Sequence, residues 1–199
     1  MQKVDFRGYS GDCLIAGRVD VPAEVRLTDF LNKHDSYPVH DSAIYALEDG
    51  RALPAGDQEL SAADLWAVEP TDSGITAWRA DLHVATLVVR IEVDMPPYRI
   101  IGSLHGVGSE DPLSTVNRRG RMLPLTDAVV RFRYMGQEMA RETQVLIINR
   151  ERALRIAPIG SEEGKSAELE AVVAQGSDGR TNGASHPELI GGRADAPDL

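Results

Sequence analysis

The sequence repeats itself once, and this repeat restricts the fold more than any other feature. Cys13-Leu14-Ile15-Ala16-Gly17-Arg18-Val19 resembles Arg99-Ile100-Ile101-Gly102-Ser103-Leu104. Arg26-Leu27-Thr28-Asp29-Phe30-Leu31-Asn32 resembles Pro112-Leu113-Ser114-Thr115-Val116-Asn117. Tyr37-Pro38-Val39-His40-Asp41-Ser42-Ala43-Ile44 matches Leu123-Pro124-Leu125-Thr126-Asp127-Ala128-Val129-Val130 without a gap. The offset stays at 85–86 residues across all three blocks. One structural unit is therefore written twice.

Both copies read as β-strands. Leu87, Val89, Ile91 and Val93 alternate with Val88, Arg90, Glu92 and Asp94, and Val130, Phe132 and Tyr134 alternate with Arg131 and Arg133. A period of two marks a strand with one buried face. Further strands are expected at 144–149 and 153–156, and in the first copy near 4–7, 13–21, 43–47 and 64–69. Between the second and third strand of each copy the pattern predicts one helical turn. Leu27, Phe30 and Leu31 fall at i, i+3 and i+4, with Thr28 or Ser114 as candidate caps. Gly17 and Gly102 lie inside strands, which predicts a bulge or a sharp bend at each. A strongly bent five-stranded sheet closes easily into a small barrel. The expected fold is thus mainly β, with two similar small barrels or bent sheets in tandem. The units are residues 1–69, a linker at 70–83, and residues 84–157. Residues 158–199 hold seven Gly, many acids and few large apolar side chains. Such a composition does not repay the entropy of ordering, so this tail is expected to be disordered, with a transient helix at 168–174.

Charge separates the two copies. Residues 1–112 hold 9 Lys/Arg against 19 Asp/Glu, and residues 113–157 hold 9 Arg against 4 acids. Residues 158–199 hold 3 basic against 8 acidic residues, and the whole chain carries a formal net charge of −10. An acidic whole disfavours general nucleic-acid binding by long-range steering, whereas a local basic face still attracts phosphate. No apolar run reaches the length of a membrane span, and Met1-Gln2-Lys3-Val4-Asp5 does not begin a signal peptide. Cys13 is the single cysteine, so no intramolecular disulfide forms. These features lead to the expectation of a cytoplasmic protein with no membrane partner.

The second copy resembles the Sm-like fold. The resemblance rests on Ile101-Gly102, on Asn117, on Leu125-Thr126-Asp127-Ala128, and on the run from Val145 to Leu154. It covers roughly residues 4–69 and 84–157. It implies small barrels that join into rings by pairing their edge strands. Three chains of two copies would then make a pseudo-six-fold ring. It also implies a runner-up activity, RNA binding through Arg150, Arg152, Arg118 and Arg119.

Candidate chemistry is sparse. His34-Asp35 and His40-Asp41 are two His-Asp pairs, a composition that suits metal ligation or a base with its orienter. The repeat argues against this, because Gly120, Arg121 and Thr126 occupy the matching places of His34, Asp35 and His40. Only Asp41 has a matching acid, Asp127, and both are expected just before a strand, where a carboxylate accepts backbone N–H bonds in a turn. Cys13 lies beside Asp12, an acidic neighbour that disfavours thiolate. No phosphate-binding loop, nucleophile elbow or paired-cysteine motif is present. The glycines at 102, 106 and 108 read as a loop. No catalytic residue, metal or cofactor is therefore expected.

The arginines are the most informative set. Arg118, Arg119 and Arg121 sit in a turn, Arg131 and Arg133 share a strand face, and Arg150, Arg152 and Arg155 follow the last long strand. They form a solvated face, or meet the acidic first copy or tail in the same or a neighbouring chain, or bind RNA or another polyanion. The expected function is a non-catalytic binding or scaffold protein, self-associating through its two β repeats or joining another protein.

Overall fold

The alternating segments become strands of one antiparallel sheet. In the computed structural model, residues 1–71, 87–106 and 110–159 are described. The first repeat consists of β1 (Gln2–Tyr9), β2 (Cys13–Val21), α1 (Leu27–Lys33), β3 (Ser36–Ala46), β4 (Ala52–Ser61) and β5 (Ala67–Pro70). The second consists of β6 (Val88–Met95), β7 (Tyr98–His105), α2 (Pro112–Thr115), β8 (Met122–Tyr134), β9 (Gln137–Asn149) and β10 (Arg155–Pro158). A 3-10 turn at Val116–Arg118 follows α2, and another at Arg150–Arg152 precedes β10. The expected tail, its transient helix and most of the expected linker lie outside the described residues.

Strand order runs β10-β6-β7-β8-β9-β5-β1-β2-β3-β4. Each repeat therefore has its fifth strand beside its first, followed by its second, third and fourth. The two halves meet where β9 of the second repeat pairs with β5 of the first. The result is a single open ten-stranded sheet, and the two tandem barrels expected from the sequence are not shown by this pairing.

Equivalent hydrogen bonds recur in the two halves. Trp66 N donates to Tyr9 O at 2.8 Å, and Leu154 N donates to Asp94 O at 2.8 Å. Ala62 N donates to Asp35 O and Arg150 N to Arg121 O, both at 2.8 Å. Ser61 Oγ accepts from Ala63 N at 3.2 Å, as Asn149 Oδ1 accepts from Glu151 N at 3.1 Å. The first of these pairs sets the last strand of each repeat against its first.

The helical turns stand where the pattern puts them, but their caps differ. Arg26 occupies the N-cap of α1 and its side chain makes no capping hydrogen bond to the first turn; Thr28, inside the helix, does not cap it either. At α2 the cap is Asp111, whose carboxylate accepts from Leu113 N and Ser114 N, so Ser114 is capped and does not cap. An acceptor must precede the first turn to reach its free N–H groups. Thr28 lies two residues and Ser114 three residues beyond the N-cap position.

β4 is a strand that alternation does not reveal. Ala52–Ser61 carries Pro54, Gly56, Asp57 and Glu59, and it ends the sheet with β3 as its one strand neighbour. An edge strand tolerates Pro and charge because half of its backbone groups face away from the ladder. Likewise β3 and β9 begin earlier than apolar periodicity suggests, through Ser36–Ser42 and Gln137–Thr143.

Gly17 and Gly102 do mark bulges. Pairing shifts between Ala16 and Arg18 in β2 and between Ile101 and Ser103 in β7. A Cβ on Gly17 would stand 2.5 Å from Val39 Cγ1, and one on Gly102 would stand 3.0 Å from Leu125 Cβ. Asp41 and Asp127 lie across these bulges with φ of 51° and 49°. Both lie within strands β3 and β8, not just before them as expected. A short polar side chain tolerates this left-handed conformation better than a branched one. Gly17→Ala is expected to lower unfolding free energy by about 1–3 kcal/mol through overpacking. Adding Val39→Ala should recover part of that loss in a urea titration; equal stability of Gly17→Ala and wild type would contradict the close approach.

Two apolar clusters form the core, and adjacent residues of one strand, such as Ala67 and Val68 or Ile147 and Ile148, enter different clusters because they point to opposite faces of the sheet. One cluster holds most of the first repeat's apolar side chains together with Met122 and Ile147. The other holds the second repeat's core with Tyr9, Leu14, Leu47 and Ala67. Each cluster draws residues from both halves, so neither repeat completes its core alone. This exchange fits the small burial available to a five-stranded unit.

Candidate functional site

The joint between repeats carries a buried polar network. β5 and β9 pair at Ala67 with Ile148 and at Val68 with Ile147. Asn149 N continues the ladder by donating to Trp66 O at 2.8 Å. Beside this ladder, Glu69 collects three donors. Arg7 Nη1 donates to its Oε2 at 3.2 Å, Tyr9 OH donates at 3.0 Å, and Arg141 Nε donates to both oxygens at 2.8 and 3.1 Å. The side chains of Arg7 and Glu69 are 5% and 6% exposed, whereas Arg141 is 42% exposed. Burial, and then the adjacent Glu69 charge, push the Tyr9 phenol well above its ordinary value, so it remains a donor. This network links β1, β5 and β9, and hence the two repeats.

Aromatic rings gather around Tyr9, the same residue that donates to Glu69. Tyr9 meets Tyr98 edge-on at 5.4 Å and Phe132 at 5.9 Å, and Trp66 meets Tyr98 at 6.4 Å. Edge-to-face pairs of this spacing add to burial. The Tyr98 hydroxyl donates to Ser10 O at 2.6 Å, and Met135 N donates to Leu47 O at 2.8 Å. At the far end, Asn32 bonds Met122 through both amide atoms, at 2.9 and 2.8 Å. Arg121 donates to Asp35 at 2.9 Å and also to the His34 carbonyl.

The arginine set divides into three places. Arg118, Arg119, Arg121, Arg150 and Arg152 gather where the α2–β8 and β9–β10 connections meet. There Arg150 Nε donates to Gly120 O at 3.3 Å and Arg150 N to Arg121 O at 2.8 Å. Within this group, Arg118 faces Glu110 at 3.4 Å and Arg119 donates to Thr115 Oγ1 at 3.1 Å. Partial burial holds the Arg119 guanidinium below its ordinary value. Arg131 and Arg133 lie exposed on β8, with Arg133 facing Glu138 at 2.9 Å. Arg155 sits on β10 opposite Asp94. The structure therefore joins the two connections that the sequence set separately, and leaves the β8 pair apart from them.

Arg141 and Glu69 were not among the residues singled out by sequence. Arg141 occurs in the polar alternation Ala140-Arg141-Glu142-Thr143, and Glu69 ends the run Ala67-Val68-Glu69. A single acid closing a short apolar strand is the one signal that points to Glu69.

The two His-Asp pairs take separate partners. His34 lies against Phe30, with ring centroids 4.9 Å apart. His40 lies between Asp57, 3.3 Å from Nδ1, and Asp20, 3.8 Å from Nε2. Asp41 does not gather backbone N–H groups on its carboxylate as expected for a turn. Its own N–H donates to Asp57 at 3.1 Å, and Arg18 reaches its carboxylate at 3.4 Å. That backbone donor, followed by His40, draws the Asp57 carboxyl below its ordinary value. Among the described residues, no three of His, Cys, Asp and Glu come together to hold a metal ion. Burial raises the Cys13 thiol, with the nearby Asp12 charge acting the same way. No helix among the described residues is long and apolar enough to cross a membrane.

The chain is thus a mainly β protein of two repeats with one strand order, sharing a single sheet. No protein-family model, curated protein or solved structure matches it.

Proposed function

We propose that this chain is a non-catalytic scaffold of Sm-like repeats that self-associates head to tail, with β10 of one copy pairing beside β4 of the next. The observation that carries the reading is the β5–β9 ladder inside the chain. It joins the fourth strand of one repeat to the fifth strand of the other. The same two kinds of strand, β4 and β10, stand at the ends of the sheet, each with one strand neighbour among the described residues. The internal joint uses Ile147, Ile148 and Asn149, whose counterparts in β4 are Glu59, Leu60 and Ser61. These lie beyond Pro54 and Gly56, which spoil the earlier part of β4 for pairing. In β10 the counterparts of Ala67 and Val68 are Arg155 and Ile156. Leu154, 76% exposed, is the counterpart of Trp66, which packs across the internal joint. A heterologous contact of this type closes into a ring or runs on as a filament.

A second reading has one observation in its favour. The meeting of the two arginine-bearing connections places Arg118, Arg150 and Arg152 at one end of the second repeat. Guanidinium groups so placed suit the phosphates of RNA.

Light scattering of the purified protein at low and moderate salt, with absorbance at 260 and 280 nm, separates the readings. The scaffold reading expects a mass several times the 21.6 kDa of one chain and a protein-like absorbance ratio. Glu59→Pro removes an edge N–H and should return the mass to one chain while the circular dichroism stays β. A wild-type protein of single-chain mass at both salt levels ends the scaffold reading. Bound nucleic acid that is lost with Arg150→Ala and Arg152→Ala favours RNA.

A further inference from the structure

Resting on the head-to-tail reading above, we infer that the contact between chains is electrostatic where the contact within the chain is apolar. The basic face of the second repeat, Arg99, Arg131 and Arg133, docks on the acid-bearing turn Glu48-Asp49 of another copy.

At the internal joint the first repeat presents Tyr9, Leu14, Tyr45 and Leu47 to the second repeat's core. The offset and strand register place Asp94, Arg99, Arg131 and Arg133 at the same four positions in the second repeat. Their rows match pair by pair: Tyr9 opposes Leu14 as Asp94 opposes Arg99, and Leu14 opposes Tyr45 as Arg99 opposes Arg131. All four of the second repeat's residues are exposed. Three cations and one anion therefore stand where the internal joint has four apolar side chains.

The receiving surface changes in the complementary sense. Across the internal joint the second repeat offers Tyr98, Phe132, Tyr134 and Met135. Tyr98 and Phe132 pack on Tyr9, and Met135 N donates to Leu47 O at 2.8 Å. Their counterparts in the first repeat are Cys13, Ala46, Glu48 and Asp49. Two large aromatic side chains give way to small ones, while Glu48 and Asp49 are exposed acids. The closest correspondence follows the Met135–Leu47 bond, which places Asp49 of one copy beside Arg133 of the other. Glu92 already pairs with Arg99 and Glu138 with Arg133, and Arg155 stands opposite Asp94, so the face keeps one surplus positive charge. Arg51 pairs with Asp49, so the turn that it meets keeps one surplus negative charge. Such a pair steers encounter and fixes partner and register. It cannot substitute for the area buried by the rings, and it is screened by salt. The screening length falls from about 10 Å at 0.1 M to about 3 Å at 1 M ionic strength.

Sedimentation of wild type at these two ionic strengths, with two charge-reversed chains, tests the inference. One chain carries Arg131→Glu with Arg133→Glu, the other Glu48→Arg with Asp49→Arg. All four sites are exposed, and circular dichroism confirms that each chain is folded. Wild type is expected to associate at low ionic strength and to weaken at least about tenfold at high ionic strength. Each reversed chain alone should weaken by at least about tenfold, because like charges then face one another. An equimolar mixture of the two should regain association, since every joint in it again opposes unlike charges. Wild-type association that is indifferent to salt and to both reversals overturns this inference while leaving head-to-tail assembly standing. Wild type that sediments as one chain in all conditions overturns the assembly itself.

Discussion

Glu69→Ala is expected to cost about 3–5 kcal/mol of unfolding free energy, the loss typical of breaking a buried ion pair from one side. The substitution leaves Arg7, whose side chain is 5% exposed, as a charge with no carboxylate beside it. The Tyr9 hydroxyl loses its acceptor at the same time. Arg141 suffers least, because it is 42% exposed and can turn to water. At about 2–4 °C per kcal/mol for a unit of this size, the melting temperature should fall by roughly 10 °C. Arg7→Met combined with Glu69→Leu distinguishes mechanism from mere size change. A buried pair replaced by apolar side chains is often neutral, so the double variant should regain most of the loss. Urea titration of the three proteins reads both effects. A Glu69→Ala protein as stable as wild type would mean that the network does not hold the repeats together.

This joint also shows where sequence reading stops. The two repeats, their helical turns and the bulges at Gly17 and Gly102 are legible because they rest on local pattern. Alternation and glycine placement act within a few residues along the chain. The third block of the repeat, Tyr37–Ile44 against Leu123–Val130, is legible for a further reason. A left-handed Asp facing a bulge needs its neighbours in fixed places, so both copies retain them. β4 is not legible, since an edge strand needs only Leu60 buried and is otherwise free to carry Pro54, Gly56 and Asp57. The shared sheet is less legible still. Glu69 and Arg141 lie 72 residues apart, and each reads locally as an ordinary surface charge on a strand. Their burial is set by which strands become neighbours, a property of assembly and not of either segment.

The joint explains why each repeat departs from its copy where it does. Tyr9, Trp66, Tyr98 and Phe132 supply much of the chain's scarce aromatic surface, and all four meet at one place. Their counterparts Asp94, Leu154, Cys13 and Ala46 are smaller or charged. The large apolar side chains thus stand where the two repeats meet in one sheet. Among the counterparts only Asp94 is charged, while Leu154 is an exposed apolar side chain.

Asn149→Asp is expected to destabilise the protein by about 2–5 kcal/mol, because it turns two buried hydrogen bonds into two repulsions. Asn149 is 2% exposed, and its amide nitrogen donates to Ala62 O at 3.2 Å and Leu65 O at 3.1 Å. Its amide oxygen accepts from Glu151 N at 3.1 Å, which fixes the orientation of the group. An aspartate keeps the last bond but sets a carboxylate oxygen against two carbonyls. Relief then requires either protonation or opening of the β5–β9 joint. The charged form is the one disfavoured by folding, so the folded carboxyl should titrate above an ordinary one. Its penalty would be present at neutral pH and fade as pH falls toward the carboxylate range. Asn149→Ser, which copies Ser61 at the matching place in the first repeat, keeps an acceptor for Glu151 N but loses the reach to both carbonyls. It should fall between wild type and Asn149→Asp. Thermal melts at about pH 7 and pH 5 give the ordering, and amide exchange at Asn149 and Val68 shows whether the joint opens before the rest. A variant whose loss does not shrink on acidification would locate the damage in packing and not in the charge facing those carbonyls.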